Sequence, residues 1–166
     1  LWPDPADPEC PPAFREAVAP HLAEFAQKAA STESLGQALG TAAGKWVKAN
    51  NLRQRGKSVW ETPEQLRQGL LDFIGDASAW EMSTEPAMLA CARGLVKAAY
   101  PDQPPLVVDP FAGGGSIPLE ALRVGADAFA SDLNPVAVLL NKVVLEYIPK
   151  YAQQLADEGR KWGAWI

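Results

Sequence analysis

Three consecutive glycines lie between a short apolar segment and a helix-forming segment of this chain. Residues 113–115 are all glycine, and residues 106–109 form an apolar run that ends in an aspartate. Glycine adopts main-chain conformations closed to other residues and lets a ligand approach the backbone at a helix start. The pattern therefore predicts a strand, a ligand-binding loop and a helix, in that order.

A second strand and a second helix follow. Residues 128–132 read as a strand, and Asn134 with Pro135 opens the next helix. Alternation of strands and helices predicts a parallel sheet built from right-handed βαβ units. The apolar residues 106–108 suit a strand buried on both faces. The predicted fold class is therefore α/β, with a parallel βαβα core after a helical N-terminal region.

Each predicted strand ends in a carboxylate, Asp109 in the first and Asp132 in the second. Ligands of open α/β sheets gather at the carboxyl ends of the strands, where a carboxylate can accept both hydroxyls of a ribose. The loop lacks the third glycine of a dinucleotide fingerprint, because that position falls on Pro118 or Leu119. It also lacks the lysine of a phosphate-binding P-loop.

Residues 1–60 are predicted to form a helical, proline-punctuated region of unknown role. Pro20 is expected to kink or split its first helix. The apolar stripe of that helix comprises Phe14, Val18, Leu22, Phe25 and Ala29. Further on, Thr62 and Gln65 predict a capping box, and residues 83–84 are candidate caps of a later helix.

Charge and cysteine content exclude several classes of protein. The net charge of −5 has the wrong sign for a chain whose whole surface grips nucleic acid. A basic run favours a solvated face, with a nucleic-acid or partner contact as the alternative. Its members are Lys45, Lys48, Arg53, Arg55 and Lys57. Two cysteines and one histidine argue against a metal site and favour a reducing, cytoplasmic setting. No apolar run is long enough to cross a membrane.

The glycine loop resembles a known motif. Residues 109–116 resemble motif I of the amino-methyltransferases, which bind S-adenosylmethionine (SAM). The longer run through residues 120–122 and 130–137 resembles the large adenine-specific DNA methylases that contain a zinc ribbon. The resemblance is strong over about residues 66–151. It implies a partial Rossmann-like SAM methyltransferase fold within residues 61–166, with DNA as a partner through the rest of the parent protein.

The resemblance also implies which residues bind the cofactor. The motif I backbone would enclose the methionine part of SAM, and Asp132 would hold the ribose. The implied set is Asp109, Pro110, Phe111, Ala112, Gly113, Gly114, Gly115, Ser116, Asp132, Leu133 and Asn134. Glu85 departs from the family, since many members have lysine before the proline found here as Pro86.

Two elements of the family are absent from the sequence. There is no Asp/Asn-Pro-Pro-Tyr/Phe tetrapeptide, which orients the target amino group and stacks the flipped base, and no Cys-x-x-Cys pair for a zinc ribbon. The resemblance therefore places no catalytic residue and no metal in this chain. We expect the chain to be a fragment of a longer enzyme and to be inactive alone.

Other functions stay open. Guanine-N2 methyltransferases of ribosomal or transfer RNA have a similar loop, matched here through Ile117, Glu120 and Ala121. A non-catalytic module that binds a nucleotide or a protein partner, or a nicotinamide oxidoreductase, could use the same pocket. The segment 132–137 favours the DNA family over the RNA family.

Overall fold

The computed structural model describes residues 1–31, 60–78, 82 and 85–163. The first helices are α1 (Pro12–Ser31), α2 (Pro63–Ala77) and α3 (Pro86–Ala99). They are followed by β1 (Leu106–Asp109), α4 (Ser116–Arg123), β2 (Asp127–Ala130), α5 (Pro135–Asn141), a π-helical segment (Lys142–Tyr147) and α6 (Ile148–Gly163). The chain divides into two compact units, Leu1–Pro104 and Pro105–Ile166. This division lies further along the chain than the functional boundary predicted at residue 60, because α2 and α3 pack against α1.

The core of the first unit is built on α1 and includes contacts between aromatic rings. The apolar stripe predicted for this helix is confirmed, since Phe14, Val18, Leu22, Phe25 and Ala29 are all buried. Phe25 meets Phe73 of α2 edge-on, with ring centroids 5.3 Å apart. Trp2 contacts the same ring at 5.9 Å. Burial of aromatic rings stabilises cores strongly. These ring contacts therefore hold α2 and the segment that precedes α1 against α1.

Pro20 was expected to kink or split α1, and the split is wrong, because the helix is continuous from Pro12 to Ser31. Proline removes one main-chain donor and crowds the carbonyl of the preceding turn. Val18 and Leu22, on either side of Pro20, are fully buried on one face. Their packing outweighs the local cost of the proline.

The capping box predicted before α2 is confirmed. Thr62 Oγ1 accepts a hydrogen bond from Gln65 N at 3.3 Å, and Gln65 Oε1 accepts one from Thr62 N at 3.1 Å. α3 uses a different cap, because Glu85 Oε1 accepts from Ala87 N at 3.4 Å. The candidate caps at residues 83–84 lie outside the described residues. Glu85, the departure from the family pattern, thus has a local role in starting a helix.

The two cysteines are buried and unpaired. Cys91 Sγ donates to the carbonyl oxygen of His21 at 3.6 Å, and burial raises the pKa of this thiol to about 12. A thiol that stays protonated is neither a nucleophile nor a metal ligand. Across the part of the chain that the structure describes, no group of histidine, cysteine and acidic side chains could hold a metal ion. No helix in that part is long and apolar enough to cross a membrane.

The second unit is built around a parallel pair of strands. β1 and β2 pair with Leu106 opposite Asp127 and Asp109 opposite Ala130. α4 connects the two strands and packs against both. The predicted parallel βαβ arrangement is therefore confirmed for this pair, and the unit belongs to the α/β class.

The expectation that β1 is buried on both faces is wrong. Its residues alternate, with Leu106 and Val108 exposed and Val107 and Asp109 half-buried. β2 alternates in the same way, so that Phe129 is exposed. Alternation is typical of a sheet with one covered face. Within the described residues the sheet has two strands, and its other face carries exposed apolar side chains.

Candidate functional site

The loop between β1 and α4 is fixed by main-chain hydrogen bonds to the end of β2. Ala112 N donates to Ser131 O at 3.0 Å, and Ser131 N donates to Asp109 O at 2.9 Å. Gly113 has a φ of +50° and Gly115 a φ of +81°. Residues with a Cβ rarely adopt such angles. Two of the three glycines are therefore needed for the conformation of the loop itself.

Asp132 fastens this loop from the end of β2. Its Oδ2 accepts a hydrogen bond from Gly113 N at 2.9 Å, and its Oδ1 accepts one from Asn134 N at 2.8 Å. These main-chain donors, Asn134 first and Gly113 second, lower the pKa of the Asp132 carboxyl. The group is thus an anion at neutral pH. A carboxylate has roughly four acceptor positions, so Asp132 can accept further hydrogen bonds from a ligand.

Asp109 shapes the beginning of the loop. Its Oδ1 accepts a hydrogen bond from Phe111 N at 3.1 Å, which forms a tight Asx turn directly after β1. Ser131 Oγ donates to Pro110 O at 3.4 Å and ties the same turn to β2. Both predicted carboxylates therefore lie at the carboxyl end of the sheet, and each one bonds to the main chain of a loop.

Large apolar side chains are exposed around the loop. Leu133 is 93% exposed and Phe111 is 77% exposed. Ile117 in α4 and Val136 in α5 are also exposed. The main-chain bond from Ala112 N to Ser131 O joins the two chain segments that carry them. Exposed apolar side chains therefore occur in both segments that meet at the loop.

The middle of the loop has open space beside its main chain. A Cβ added at Gly113 or Gly114 would have no heavy atom within 4 Å. The N–H of Gly114 has no hydrogen-bond partner among the described residues. This combination suits a ligand that contacts the backbone directly and supplies a carboxylate or another acceptor.

The remaining predicted residues have mainly structural contacts. Ala112 is buried, and Ser116 is the exposed first residue of α4. Asn134 caps α5, because its Oδ1 accepts from Val136 N at 3.0 Å. The predicted set therefore comes together as two adjoining segments at one end of the sheet. The five basic residues between Lys45 and Lys57 lie outside the described residues.

Asn141, a buried polar side chain that contacts the loop, was not predicted from the sequence. Asn141 is 8% exposed, and its Nδ2 donates to Gly113 O at 3.0 Å and to Ala137 O at 2.8 Å. Its one sequence signal is position, because it lies one helical turn after Ala137 on the same face. An asparagine on a face that meets small buried residues indicates a hydrogen bond made inside the core.

A groove of about 380 Å³ lies between β2 and the helical segment that follows it. Its volume falls within the range of small-molecule sites. Its lining is Leu122, Ala128, Phe129, Ala130, Ser131, Asp132, Val138, Asn141, Lys142, Leu145 and Glu146. Because Asp132 and Asn141 both contact the glycine loop, the groove and the loop share walls.

No protein-family model matches the chain, and neither a curated protein nor a solved structure shows significant similarity to it.

Proposed function

We propose that the unit Pro105–Ile166 binds SAM and is the cofactor-binding part of an adenine-specific (N6) DNA methyltransferase. The observation that carries the proposal is the bond between Asp132 and Gly113 N. This bond joins the ionised carboxylate that follows β2 to the open glycine loop that follows β1. The proposed fold of the complete domain is Rossmann-like, and the βαβ unit would be part of its sheet.

The chemical parts of SAM correspond to different parts of the site. The methionine carboxylate suits the N–H of Gly114 and the open backbone at Gly113. The ribose hydroxyls suit the unused acceptor positions of Asp132. The adenine ring suits the exposed apolar side chains of Leu133 and Phe111. A dinucleotide is less suited, because the third glycine of its fingerprint is missing here.

In this proposal the chain binds and orients the cofactor. When bound, SAM supplies a methyl group on a positively charged sulfur. Residues of this chain would hold the ends of the cofactor, exclude water with the apolar side chains and fix its orientation. The choice of adenine in DNA is supported by the resemblance of residues 109–122 and 130–137. The target amino group would be oriented by the tetrapeptide of the parent protein, which does not occur in this sequence.

Isothermal titration of the whole chain tests the proposal. We expect saturable heat with SAM and with its product S-adenosylhomocysteine (SAH), and none with a nicotinamide dinucleotide. Binding of the dinucleotide without SAM or SAH would contradict the proposal and favour the oxidoreductase. Binding of adenosine as tight as that of SAH would favour a nucleotide-binding module, because the methionine part would then contribute nothing.

Asp132→Ala is expected to weaken SAH binding by about 1–3 kcal/mol, the usual loss for a hydrogen bond to a charged group. The variant removes the ribose acceptor and also the bond that holds Gly113 N. Titration with SAH and with its 2′-deoxyribose analogue separates the two effects. If Asp132 contacts the ribose, the variant and the analogue remove the same interaction. The loss of binding free energy for the two changes together is then smaller than the sum of the separate losses.

Asp127→Ala is the matched control for this experiment. Asp127 is an exposed aspartate on β2, at the strand end opposite to the loop. We expect its replacement to leave the affinity for SAH unchanged. An Asp132→Ala variant that is folded and binds SAH as tightly as the unaltered chain would mean that another group holds the ribose.

A further inference from the structure

We propose that Asn141 is a positioning residue for the glycine loop, and that through it α5 sets the conformation in which the loop meets a ligand. This inference rests on the proposed function for the identity of the ligand. The position of Asn141 relative to the loop does not depend on that identity.

Asn141 bridges α5 and the loop with both hydrogens of its amide. One goes to Gly113 O at 3.0 Å, and the other goes to Ala137 O at 2.8 Å. Gly113 N bonds to Asp132 on the other side of the same residue. Gly113 is thus held at its N–H by Asp132, which follows β2, and at its carbonyl by Asn141 of α5. Both partners are side chains, so Gly113 has one side-chain bond on each side.

Asn141 also requires a glycine at position 115, the second loop residue with a positive φ. A Cβ at Gly115 would overlap Asn141 Oδ1. That oxygen is buried and has no hydrogen-bond partner among the described residues. A buried acceptor without a partner is unfavourable, and the two bonds of Nδ2 hold it in place. Asn141 therefore constrains both loop glycines that have positive φ.

The helix around Asn141 is adapted to this contact. α5 ends at Asn141, and the π-helical segment begins at Lys142. Ala137 O, one turn earlier, accepts the side-chain amide of Asn141. π-helical turns occur frequently at functional sites. Their occurrence next to the residue that contacts the loop agrees with a positioning role.

The amide is required at this position by its chemistry. Both partners of Nδ2 are carbonyl oxygens, so the side chain must donate twice. Asn141→Asp would place an anion against two carbonyls, and Asn141→Leu would keep the size but make no hydrogen bond. Ala121→Gly is the matched control. Ala121 is buried in α4, and glycine there destabilises a helix of the same unit while leaving both hydrogen bonds of the Asn141 amide in place.

The test compares amide hydrogen exchange and SAH affinity in the whole chain. In the unaltered chain we expect slow exchange of the Asn141 side-chain amide and of Gly113 N–H. The main-chain amides of Val107 and Ala128 in the two strands report the overall stability of the unit. When variants are compared at equal exchange of these two amides, we expect Gly113 N–H to exchange at least about tenfold faster in Asn141→Leu and Asn141→Asp than in Ala121→Gly. The affinity for SAH should fall by about tenfold or more relative to the same control.

Three outcomes are decisive. Equal protection of Gly113 in Asn141→Leu and in the control would overturn the positioning role, whatever the chain binds. Selective loss of protection with no SAH binding by the unaltered chain would support the role and contradict the proposed cofactor. Selective loss of protection with unchanged SAH affinity would overturn the inference that the loop conformation set by Asn141 governs binding.

Discussion

Gly115→Val is expected to remove measurable SAH binding and to destabilise the unit Pro105–Ile166 by at least about 2–3 kcal/mol. Two separate physical effects act at this position. Gly115 has a φ of +81°, which a β-branched residue adopts only with strain. Its side chain would also overlap Asn141 Oδ1, which is buried and held in place by the two hydrogen bonds of Nδ2 of the same amide. The loop would have to leave its place beside α5.

Gly113→Val provides the informative contrast. Gly113 has a positive φ of +50°, but no atom lies near the position of its Cβ. We expect this variant to lose binding because its side chain fills the space of the ligand. Its loss of stability should be smaller than that of Gly115→Val, since no overlap is added. Gly114→Ala serves as the control for stability, because the space at Gly114 is also open and no positive φ is required there.

Hydrogen exchange of the β1 and β2 amides measures the stability of this unit, and titration measures the binding. Exchange is preferable to a single melting curve because the chain has two compact units. Equal stability of Gly113→Val and Gly115→Val would contradict the account of Asn141 as a wall of the loop. Retained SAH binding in Gly113→Val would mean that the ligand does not approach the backbone at that point.

Local patterns in the sequence predicted the local structure well. β1 begins at Leu106 and ends at Asp109, as the apolar run indicates, and β2 pairs with it in parallel. β2 covers Asp127–Ala130 instead of the predicted residues 128–132, so Asp132 lies just beyond the strand. The capping box at Thr62 also formed as predicted. These features depend on neighbouring residues: turn chemistry, helix-cap hydrogen bonds and short apolar runs. The spacing along the chain therefore contains most of the information that they need.

Features that depend on packing between elements were not predictable in the same way. The continuity of α1 through Pro20 depends on burial against other helices, which outweighs the preference of one residue. The exposure of Val108 depends on what covers the sheet, and an apolar strand does not specify this.

The same dependence on packing between elements explains why part of the candidate site was not predicted. Asp132 was predicted to accept ribose hydroxyls, but its bond to Gly113 N required knowledge of the loop conformation. Asn141 was missed because its partner Gly113 lies 28 residues earlier in the chain. A polar residue that bonds across such a separation has no periodic signature. The contacts of the loop account for the shape of a binding site, and the resemblance alone suggests SAM as its ligand. The identity of the ligand therefore stays a prediction.

The chain by itself is expected to transfer no methyl group to DNA. Under the proposal its residues hold the cofactor, but nothing in the sequence matches the tetrapeptide that orients the target amino group. Placing two reactants in contact with the right orientation contributes roughly 7–11 kcal/mol to lowering a barrier. A chain that positions only the cofactor lacks most of this contribution, so its rate should fall below the detection limit.

Incorporation of tritiated methyl groups into adenine-rich DNA, duplex and single-stranded, measures this activity. An adenine methylase that carries the tetrapeptide is the positive control. Gly115→Val is the matched blank, because it should bind no SAM, and label found with both proteins reveals a contaminating enzyme. Label in N6-methyladenine that requires the unaltered chain and disappears with Gly115→Val would contradict the prediction. It would show that residues of this chain orient the adenine as well as the cofactor, and the exposed side chains beside the loop, Phe111 and Leu133, would be the first to replace.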